Sequence, residues 1–465
     1  MTRHTPQNVP ASPSAAPAPD LPTEPDLDAV PRLAEGISLL GEYEGGGYDE
    51  PRYLVSRDDG QMVLVSRMLN AVLGAITGDR TLAQVAEQAS RDFGALLSPE
   101  AAQYLIERKL KPLGLATLDE QVAAPPRANP LLALSLHRVL IPAGAVRRLA
   151  AMFAPLFLPP IVVAVLLALL TLDVWLLVTG HVDTSLHASV GSPGLMLAVF
   201  GVMITNTLFH ECGHAGGCHY GGGRPGAIGV GVLIVAPAFY TNVNDAYRLD
   251  RRGRLRTDLG GIYFNSVFAV MLGAIYLTTG FAAIPTIIVL IHVQMLQQLI
   301  PLVRLDGYYI LGDLVGVPNL FEQIPPILRH AVLRREPARS IRNLRRRVRV
   351  IITIWVALVV PALLAAMVNM VIFLPRYLDT AMVNIAQYWH VCTVAFDRGE
   401  AGVVTLAVLS MIILLVPWVG VTSLVTRLVL KILRGVRERV RRARVGAGHS
   451  GEIGQREQEL AEYQR

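Results

Sequence analysis

The spacing of apolar residues differs between the two ends of the chain. Up to about residue 120, apolar positions alternate or recur every three to four residues, which predicts short strands and amphipathic helices. After residue 150 they form long runs, and six of these reach the roughly 20 residues that a helix needs to cross a bilayer. The six runs cover residues 151–178, 194–213, 260–279, 282–303, 350–374 and 403–429. This pattern predicts a mainly α, polytopic membrane protein with about six transmembrane helices and a small α+β N-terminal domain.

A seventh apolar segment, residues 227–240 (AIGVGVLIVAPAFY), is too short and too rich in Gly and Pro to span a membrane. Because unpaired backbone groups cannot face lipid, we expect a re-entrant strand or hairpin packed against the membrane helices. Residues 375–402, between the fifth and sixth runs, are expected to form a loop, to which the sequence assigns no purpose.

The N-terminal domain is predicted over residues 36–120 and has a winged-helix-like pattern. Residues 53–66 (YLVSRDDGQMVLVS) indicate two alternating strands around a turn at Asp59-Gly60, which is a good hairpin signal. Three helices follow, the second capped by Thr81 and the third opened by Ser98-Pro99. The first 35 residues, rich in Pro, Ala and acidic residues, are expected to be a disordered cytosolic tail. The predicted boundaries are 1–35, 36–120, a linker at 121–149, a membrane domain at 150–430 and a basic cytoplasmic tail at 431–465.

Composition supports a membrane protein and argues against a nucleic-acid partner. Apolar residues make up 52% of the chain and charged residues 17%, and the mean hydropathy of +0.44 is too high for a soluble globule. The net charge of +6 comes mostly from arginines beside the apolar runs, where they face lipid headgroups and set orientation. Their positions predict that both termini are cytoplasmic. The membrane itself is expected to be a bacterial cytoplasmic membrane. Three cysteines, Cys212, Cys218 and Cys392, are too few for a disulfide framework.

Two histidines four positions apart stand in the stretch FHECGHAGGCHY, residues 209–220. On a helix, His210 and His214 stack on one face and offer two nitrogens to one metal ion, while Glu211 projects beside them as a general base. Ionisable side chains near the end of a membrane span are costly in hydrocarbon and usually mark function. The motif therefore predicts a zinc hydrolase site, with a chance occurrence of this short pattern as the alternative.

Zinc needs a third protein ligand, and the strongest candidate is Asp306 in QQLIPLVRLDGYYIL. The arginine pattern puts the end of the fourth run on the cytoplasmic side, where the second run also ends. The motif and the topology thus bring His210, His214 and Asp306 to one membrane depth.

Other side chains near the motif are rival ligands. Cys218 and His219 reach the same ion only if the glycines at 216–217 and 221–223 fold the chain back, because a continued helix carries position 218 about 12 Å from His210. Cys212 points away from the histidine face and is expected to serve packing. His292 is expected to be a hydrogen-bonded core residue rather than a ligand.

The two motifs together are distinctive of one family. His210-Glu211-Cys212-Gly213-His214 on one span and Leu305-Asp306-Gly307 closing a later span resemble the site-2 protease family of intramembrane zinc metalloproteases. The segment PLVRLDGYYILGDLVGVPNL is similar to sequences in the branch of this family often labelled peptide zinc metalloprotease proteins. The resemblance covers roughly residues 150–320 and implies one Zn²⁺ per chain, held by His210, His214 and Asp306, with Glu211 as general base. The family usually has Asn eight residues before the Asp, where this chain has Gln298, which puts oxyanion assistance by that side chain in doubt.

The N-terminal domain resembles a second kind of protein. The stretches SRDDGQMVLVS and LLSPEAAQYLIERKLKPLGL, in a hairpin followed by three helices, resemble the recognition domains of ribosomally made peptide pathways (RiPP recognition elements). The resemblance covers about 80 residues and implies a leader-peptide partner. A dimerisation or docking module of the same shape, with no peptide ligand, is the alternative.

The leading hypothesis is an intramembrane zinc endopeptidase that cleaves the leader of a precursor peptide captured by the N-terminal domain, during maturation or export. The lipid bilayer and biosynthetic or export proteins are the further partners. A regulatory site-2-type protease of membrane-anchored signalling proteins and a non-catalytic membrane scaffold or transport component are the alternatives. Residues 227–244 are expected to pair with an extended substrate by strand addition. Asn242, Asn244 and Asn265 are candidate substrate contacts, with surface or helix-packing roles as the alternative.

Overall fold

A computed structural model describes residues 26–57, 62–118, 135–191, 193–233, 236–333 and 339–415, with isolated positions 418, 426 and 430 beyond them. The chain divides into two compact units. The first comprises Met1–Tyr43 and Glu50–Pro126, and the second comprises Glu44–Asp49 and Arg127–Arg465. Most of the predicted tail 1–35, the Asp59-Gly60 turn, half of the predicted linker and the basic tail 431–465 lie outside the described residues.

The first unit pairs a small antiparallel sheet with three helices. Its strands are β1 (Arg32–Leu33), β2 (Ser38–Glu42), β3 (Arg52–Ser56), β4 (Met62–Ser66) and β5 (Ala116–Thr117). Its helices are α1 (Arg67–Ala75), α2 (Leu82–Phe93) and α3 (Pro99–Leu105). The sheet order is β2-β3-β4, and β1 pairs separately with β5. Tyr53 lies opposite Val65, so the predicted hairpin strands are confirmed.

Each helix of this unit begins at a side-chain cap. The hydroxyls of Ser66, Thr81 and Ser98 accept hydrogen bonds from backbone amides in the first turns of α1, α2 and α3. Thr81 and Gln84 form a reciprocal capping box, which satisfies two otherwise unpaired backbone amides. The apolar faces that follow are buried in one core. Local signals therefore fix where these helices start, and the core fixes which face turns inward.

The second unit is mainly helical and holds the long apolar runs. It begins with β6 (Ser135–Ile141), α4 (Ala143–Phe153), α5 (Pro159–Thr179), α6 (His181–Gly191) and α7 (Pro193–Tyr220). It continues with β7 (Ile228–Leu233), β8 (Ala236–Thr241), α8 (Arg251–Thr279), α9 (Ile284–Leu299) and α10 (Asp306–Val315). The last elements are α11 (Ile324–Leu333), α12 (Arg339–Arg342), α13 (Arg346–Asp397) and α14 (Ala401–Leu415).

Among the described residues, four helices are long and apolar enough to cross a membrane. They are Pro159–Thr179, Gly194–Tyr220, Arg251–Thr279 and Arg346–Asn369. The predicted fourth run corresponds to the shorter α9, and the described part of the sixth corresponds to α14, so six spans stay a prediction. Residues 375–397, expected in a loop, are helical, because α13 continues through both Pro361 and Pro375 to Asp397.

The short apolar segment after α7 forms the hairpin β7–β8, with Ile228 opposite Thr241. That the hairpin re-enters the membrane stays a prediction. The sequence did not indicate the third strand, β6, which pairs antiparallel with β7 and gives the order β6-β7-β8. Thus β6 and most of α4 occupy the second half of the range 121–149 that was predicted as a linker. Among the described strands of this sheet, β8 lies at an edge.

Glycines let α7 and α8 cross in backbone contact. A Cβ atom added to Gly213 would lie 2.2 Å from the carbonyl oxygen of Gly260, and one added to Gly260 would lie 2.4 Å from that of Gly213. Any side chain at either position would force the helices apart. This crossing lies beside the candidate site, because Gly213 adjoins His214 and Gly260 adjoins Gly261, whose Cβ position meets both imidazoles.

The segment Glu44–Asp49 belongs to the second unit, although β2 and β3 flank it in sequence. The amide of Gly47 donates to the carbonyl of Gly316 at 2.9 Å, and the amide of Arg345 donates to the carbonyl of Gly47 at 3.0 Å. A Cβ atom on Gly47 would lie 2.2 Å from the carbonyl oxygen of Val315. The run of three glycines at 45–47 therefore lies in a narrow gap between backbone segments. No pattern in the sequence predicted this contact.

Candidate metal centre

His210, His214 and Asp306 converge on one point in the second unit. The histidines lie one helical turn apart on α7, and Asp306 is the first residue of α10. His210 Nε2 lies 3.2 Å from Asp306 Oδ2, and His214 Nε2 lies 3.4 Å from Asp306 Oδ1. The two Nε2 atoms are 3.1 Å apart. The structure thus brings together the three residues that the sequence proposed as ligands.

Backbone hydrogen bonding sets the tautomer of His214. Its Nδ1 lies 2.8 Å from the carbonyl oxygen of Thr257 on α8. A carbonyl only accepts, so Nδ1 carries the proton and the neutral ring presents the lone pair of Nε2 towards His210 and Asp306. A second partner of this kind commonly orients metal-binding histidines. Sequence reasoning missed Thr257, because a backbone carbonyl leaves no residue signature.

The donor set fits a tetrahedral zinc ion. Ligands about 2.0–2.1 Å from zinc in a tetrahedron lie about 3.3–3.5 Å from one another. The three distances of 3.1, 3.2 and 3.4 Å are close to that edge length. The Oδ2 atom of Asp306 is buried with no hydrogen-bond donor among the described residues, as expected of an atom reserved for a cation. Two imidazoles and one carboxylate also match the chemistry of catalytic zinc sites, which keep a fourth position open.

Rival ligand sets do not form among the residues that the structure describes. No other group of three His, Cys, Asp or Glu side chains meets at metal-binding distance there. Helix α7 runs unbroken to Tyr220, so Cys218 is carried along the axis and away from His210. Cys212 is buried in an apolar cluster with Phe264, in agreement with a packing role.

His292 has a partner that the sequence did not reveal. Its Nδ1 lies 2.8 Å from the carbonyl oxygen of Ile288, one turn earlier on α9. Its Nε2 lies 3.3 Å from Asp173 Oδ2 on α5. This pair joins two helices away from the candidate centre. The expected hydrogen bond is present, but the side chain is 33% exposed and does not lie in the core that was predicted for it.

Glu211 lies beside the ligands and is held by the sheet. Only 7% of its surface is exposed, and it lines a cavity of about 810 Å³ that also contains His210, His214 and Asp306. The hydroxyl of Thr241, the last residue of β8, donates to Glu211 Oε2 at 2.6 Å. Glu211, the two histidines, Asp306 and an edge strand therefore share one cavity.

The cavity receives some of the predicted substrate contacts and not others. Gln298 and Asn244 line it, together with the glutamines at 294 and 297. Asn242 lies outside the lining, where its Oδ1 accepts from the amide of Asn244 in a local turn. Asn265 is fully buried in α8, and neither amide atom has a hydrogen-bond partner among the described residues. Gln298 and Asn244 therefore face the cavity, whereas Asn242 and Asn265 are not among the residues that line it.

Tyr247 on the wall of the cavity has a raised pKa. Burial raises the pKa well above its ordinary value, and the charge of Asp313 raises it further. At neutral pH this tyrosine is therefore a neutral phenol that can donate a hydrogen bond.

Gly261 leaves space for the imidazole rings of His210 and His214. A Cβ atom on Gly261 of α8 would lie 2.4 Å from His210 Cε1 and 2.5 Å from the Nε2 atoms of both histidines. The absence of a side chain at this position lets the two imidazoles stand against the backbone of α8. Two adjacent glycines, Gly260 and Gly261, are visible in the sequence and are compatible with a close helix contact. Only the crossing of α7 and α8 shows that Gly261 faces the imidazole rings of His210 and His214.

Comparison with known proteins relates part of the chain to a zinc metalloprotease by name. A stretch of 110 residues is 31% identical to the Bacillus subtilis (strain 168) protein named "Putative peptide zinc metalloprotease protein YydH". The match covers 23% of this chain and 44% of that protein, so the chain spans less than half of the relative's length. No protein-family model matches the chain, and no solved structure matches it.

Proposed function

We propose that the chain is a membrane-embedded, zinc-dependent endopeptidase. The observation that carries this proposal is the convergence of His210, His214 and Asp306 at 3.1–3.4 Å, with Glu211 in the same cavity. The similarity to a protein named as a peptide zinc metalloprotease supports the same reaction class. Four long apolar helices support a multi-pass location, which we assign to a bacterial cytoplasmic membrane with both termini in the cytoplasm.

The residues divide into ligands and a base. His210, His214 and Asp306 hold one zinc ion, which supplies a Lewis acid that polarises a peptide carbonyl and makes water more acidic. Glu211 accepts a proton from the attacking water and delivers it to the leaving amine nitrogen. Burial of Glu211 and the ligands keeps bulk water from the reacting groups and strengthens their electrostatic interactions.

The edge strand β8 supplies a place for the substrate backbone. Residues 238–241 line the cavity beside Glu211, and among the described strands β8 pairs on one side only, with β7. An extended peptide added along the edge of β8 opposite β7 would form main-chain hydrogen bonds and pass the ligand cluster. Gln298 faces the same cavity from α9 and keeps an amide that is able to donate to a substrate carbonyl.

The N-terminal unit, in this proposal, captures a leader peptide of a ribosomally made precursor. Among its described strands, the sheet ends at β2, an edge strand whose residues are mostly exposed. Leu96, which is 96% exposed, and Tyr104, which is 49% exposed, add apolar surface to the same unit. An exposed strand edge and apolar side chains are the features that peptide-binding domains use for affinity and specificity.

Proteolysis is tested with the full chain in detergent, using quenched fluorescent casein as a probe. The wild type is expected to cleave it, to stop when a zinc chelator is added, and to recover with zinc. Glu211→Gln is expected to lower the rate about 10²- to 10⁴-fold and to keep its zinc, because the base is not a ligand. A Glu211→Gln variant that cleaves at the wild-type rate would remove Glu211 from the mechanism.

Leader capture is tested separately by hydrogen exchange. Peptides selected by display against full-length Glu211→Gln protein are added, and backbone exchange is followed by mass spectrometry. Slower exchange in residues 38–42 is expected, because strand addition protects edge amides. Deleting residues 1–120 is a poorer test, since it also removes the segment Glu44–Asp49, which belongs to the membrane unit. Protection confined to the cavity would contradict leader capture.

A further inference from the structure

Thr241 stands between the edge strand and the base. It closes β8 opposite Ile228, and its hydroxyl lies 2.6 Å from Glu211 Oε2 and 3.0 Å from the backbone carbonyl oxygen of Glu211. A hydroxyl has one proton to donate, so these two acceptors compete for it. The carboxylate bond is the shorter one and is charge-assisted, which makes it the stronger of the two.

We infer that Thr241 is a positioning residue that couples the strand where substrate pairs to the base that acts on it. The inference rests on the proposed function and deepens it. With Oε2 held by Thr241, the carboxylate has one remaining oxygen, Oε1, to take the proton. The rotamer of Glu211 is then fixed by β8 rather than by α7, which carries the residue.

This arrangement links substrate binding to catalysis through a short path. Addition of an extended peptide to β8 would order the strand, and Thr241 would transmit that order to Glu211 by one hydrogen bond. Catalytic groups must be held closely to be effective, and a displacement of about 1 Å costs as much as 10²-fold in rate. The bond spans 30 positions of sequence, from one helix to one strand.

The experiment compares three full-length variants with wild type on the quenched casein probe. Thr241→Val keeps the shape and removes the hydroxyl, Thr241→Ser restores a hydroxyl, and Thr205→Val is the matched control. Thr205 lies on the exposed side of α7, where its hydroxyl donates to the Gly201 carbonyl one turn earlier. Zinc content is measured for each variant.

Thr241→Val is expected to lower kcat about 10- to 100-fold while KM changes less than about twofold, because the bond acts on the base and not on substrate affinity. Zinc content is expected to match wild type, and Thr241→Ser is expected to recover most of kcat. Wild-type kcat in Thr241→Val, or a loss that Thr241→Ser does not recover, overturns the inference and leaves the proposed function standing. A wild type that cleaves no probe overturns the proposed function itself.

A second readout does not depend on activity. Thermal unfolding is measured for Thr241→Val, Glu211→Ala and the double variant. Thr241→Val is expected to lower the midpoint by about 2–4 °C alone and by less than half of that when Glu211 is already replaced by alanine, because the two side chains share one bond. Equal losses in both backgrounds would assign the hydroxyl to the backbone carbonyl of Glu211 and overturn the inference.

Discussion

The first unit and the candidate centre are built by contacts of very different range. In the first unit, each helix begins at a hydroxyl three residues from the amide it caps, and the central hairpin joins neighbouring strands. At the centre, Thr257 bonds His214 across 43 positions and Thr241 bonds Glu211 across 30. The helix starts and the central hairpin of the first unit are therefore specified locally, whereas the candidate centre depends on how distant segments cross.

The crossing of α7 and α8 depends on both local sequence signals and long-range contacts. The apolar runs predict that two helices exist, but the glycines at 213, 260 and 261 decide how closely they approach. Close approach brings the Thr257 carbonyl to His214 and leaves room for both imidazoles. If this contrast is correct, small changes at these glycines should damage the centre far more than comparable changes in the first unit.

The largest expected effect is at Gly261. In Gly261→Ala the new Cβ would meet both imidazoles at 2.4–2.5 Å, and side-chain ends yield more easily than backbone. The rings should therefore shift and the ligand geometry should be lost, with zinc affinity falling at least about 100-fold. Competition with a chelator measures that affinity. Gly201→Ala is the control, since a Cβ there meets nothing within 4 Å. Unchanged zinc affinity in Gly261→Ala would contradict the view that the centre depends on the close approach of α7 and α8.

The next largest expected effect is a loss of stability when Gly213 is replaced by alanine. Gly213→Ala places a Cβ against the backbone of Gly260, which has no flexible end to move away. Overpacking of this kind costs about 1–3 kcal/mol or more. Thermal unfolding in detergent should show a clear drop for Gly213→Ala and no drop for Gly201→Ala on the same helix. Equal midpoints for the two variants would mean that α7 and α8 do not depend on this contact.

The smallest effect is at the Thr81 cap. Thr81→Ala removes the acceptor for the Gln84 amide and should destabilise α2 by about 1 kcal/mol. Hydrogen exchange across Leu82–Phe93 should quicken, while zinc content and casein cleavage stay at wild-type values. Thr81→Ser should retain the cap. Loss of zinc in Thr81→Ala would show that the first unit does not behave as the locally specified part of the chain.

Prediction from sequence succeeded where the signal was local. Hydroxyl caps at Thr81 and Ser98, the alternating strands at 53–66 and the four-residue spacing of the histidines all depend on neighbours in the chain. The approach of Asp306 was predicted from the arginine pattern and the family resemblance together. The structure places its carboxylate beside both histidines, and its role as a zinc ligand stays a prediction.

The remainder depended on long-range geometry that sequence does not encode in any simple pattern. Strand β6 lies in a stretch predicted as linker, because its pairing with β7 reaches across α4, α5, α6 and α7. The helical continuation past Pro375 was missed, since proline ordinarily ends a helix, yet α13 carries two prolines inside it. Asn265 was a candidate substrate contact with helix packing as the alternative, and α8 buries it completely. In each case, neighbouring residues left the outcome undecided and tertiary packing settled it.

The most direct test of the account is the zinc content of the full chain purified in detergent without chelators, wild type beside Asp306→Ala. We predict about one zinc per wild-type chain and a sharp loss in the variant, because removal of the carboxylate leaves two imidazoles alone. A second variant, Asp306→Asn, keeps the side-chain shape and removes the charge, so it checks that the loss follows from the charge rather than from a cavity. Wild-type protein without zinc, or an Asp306→Ala variant that keeps it, would contradict a three-ligand centre built from α7 and α10.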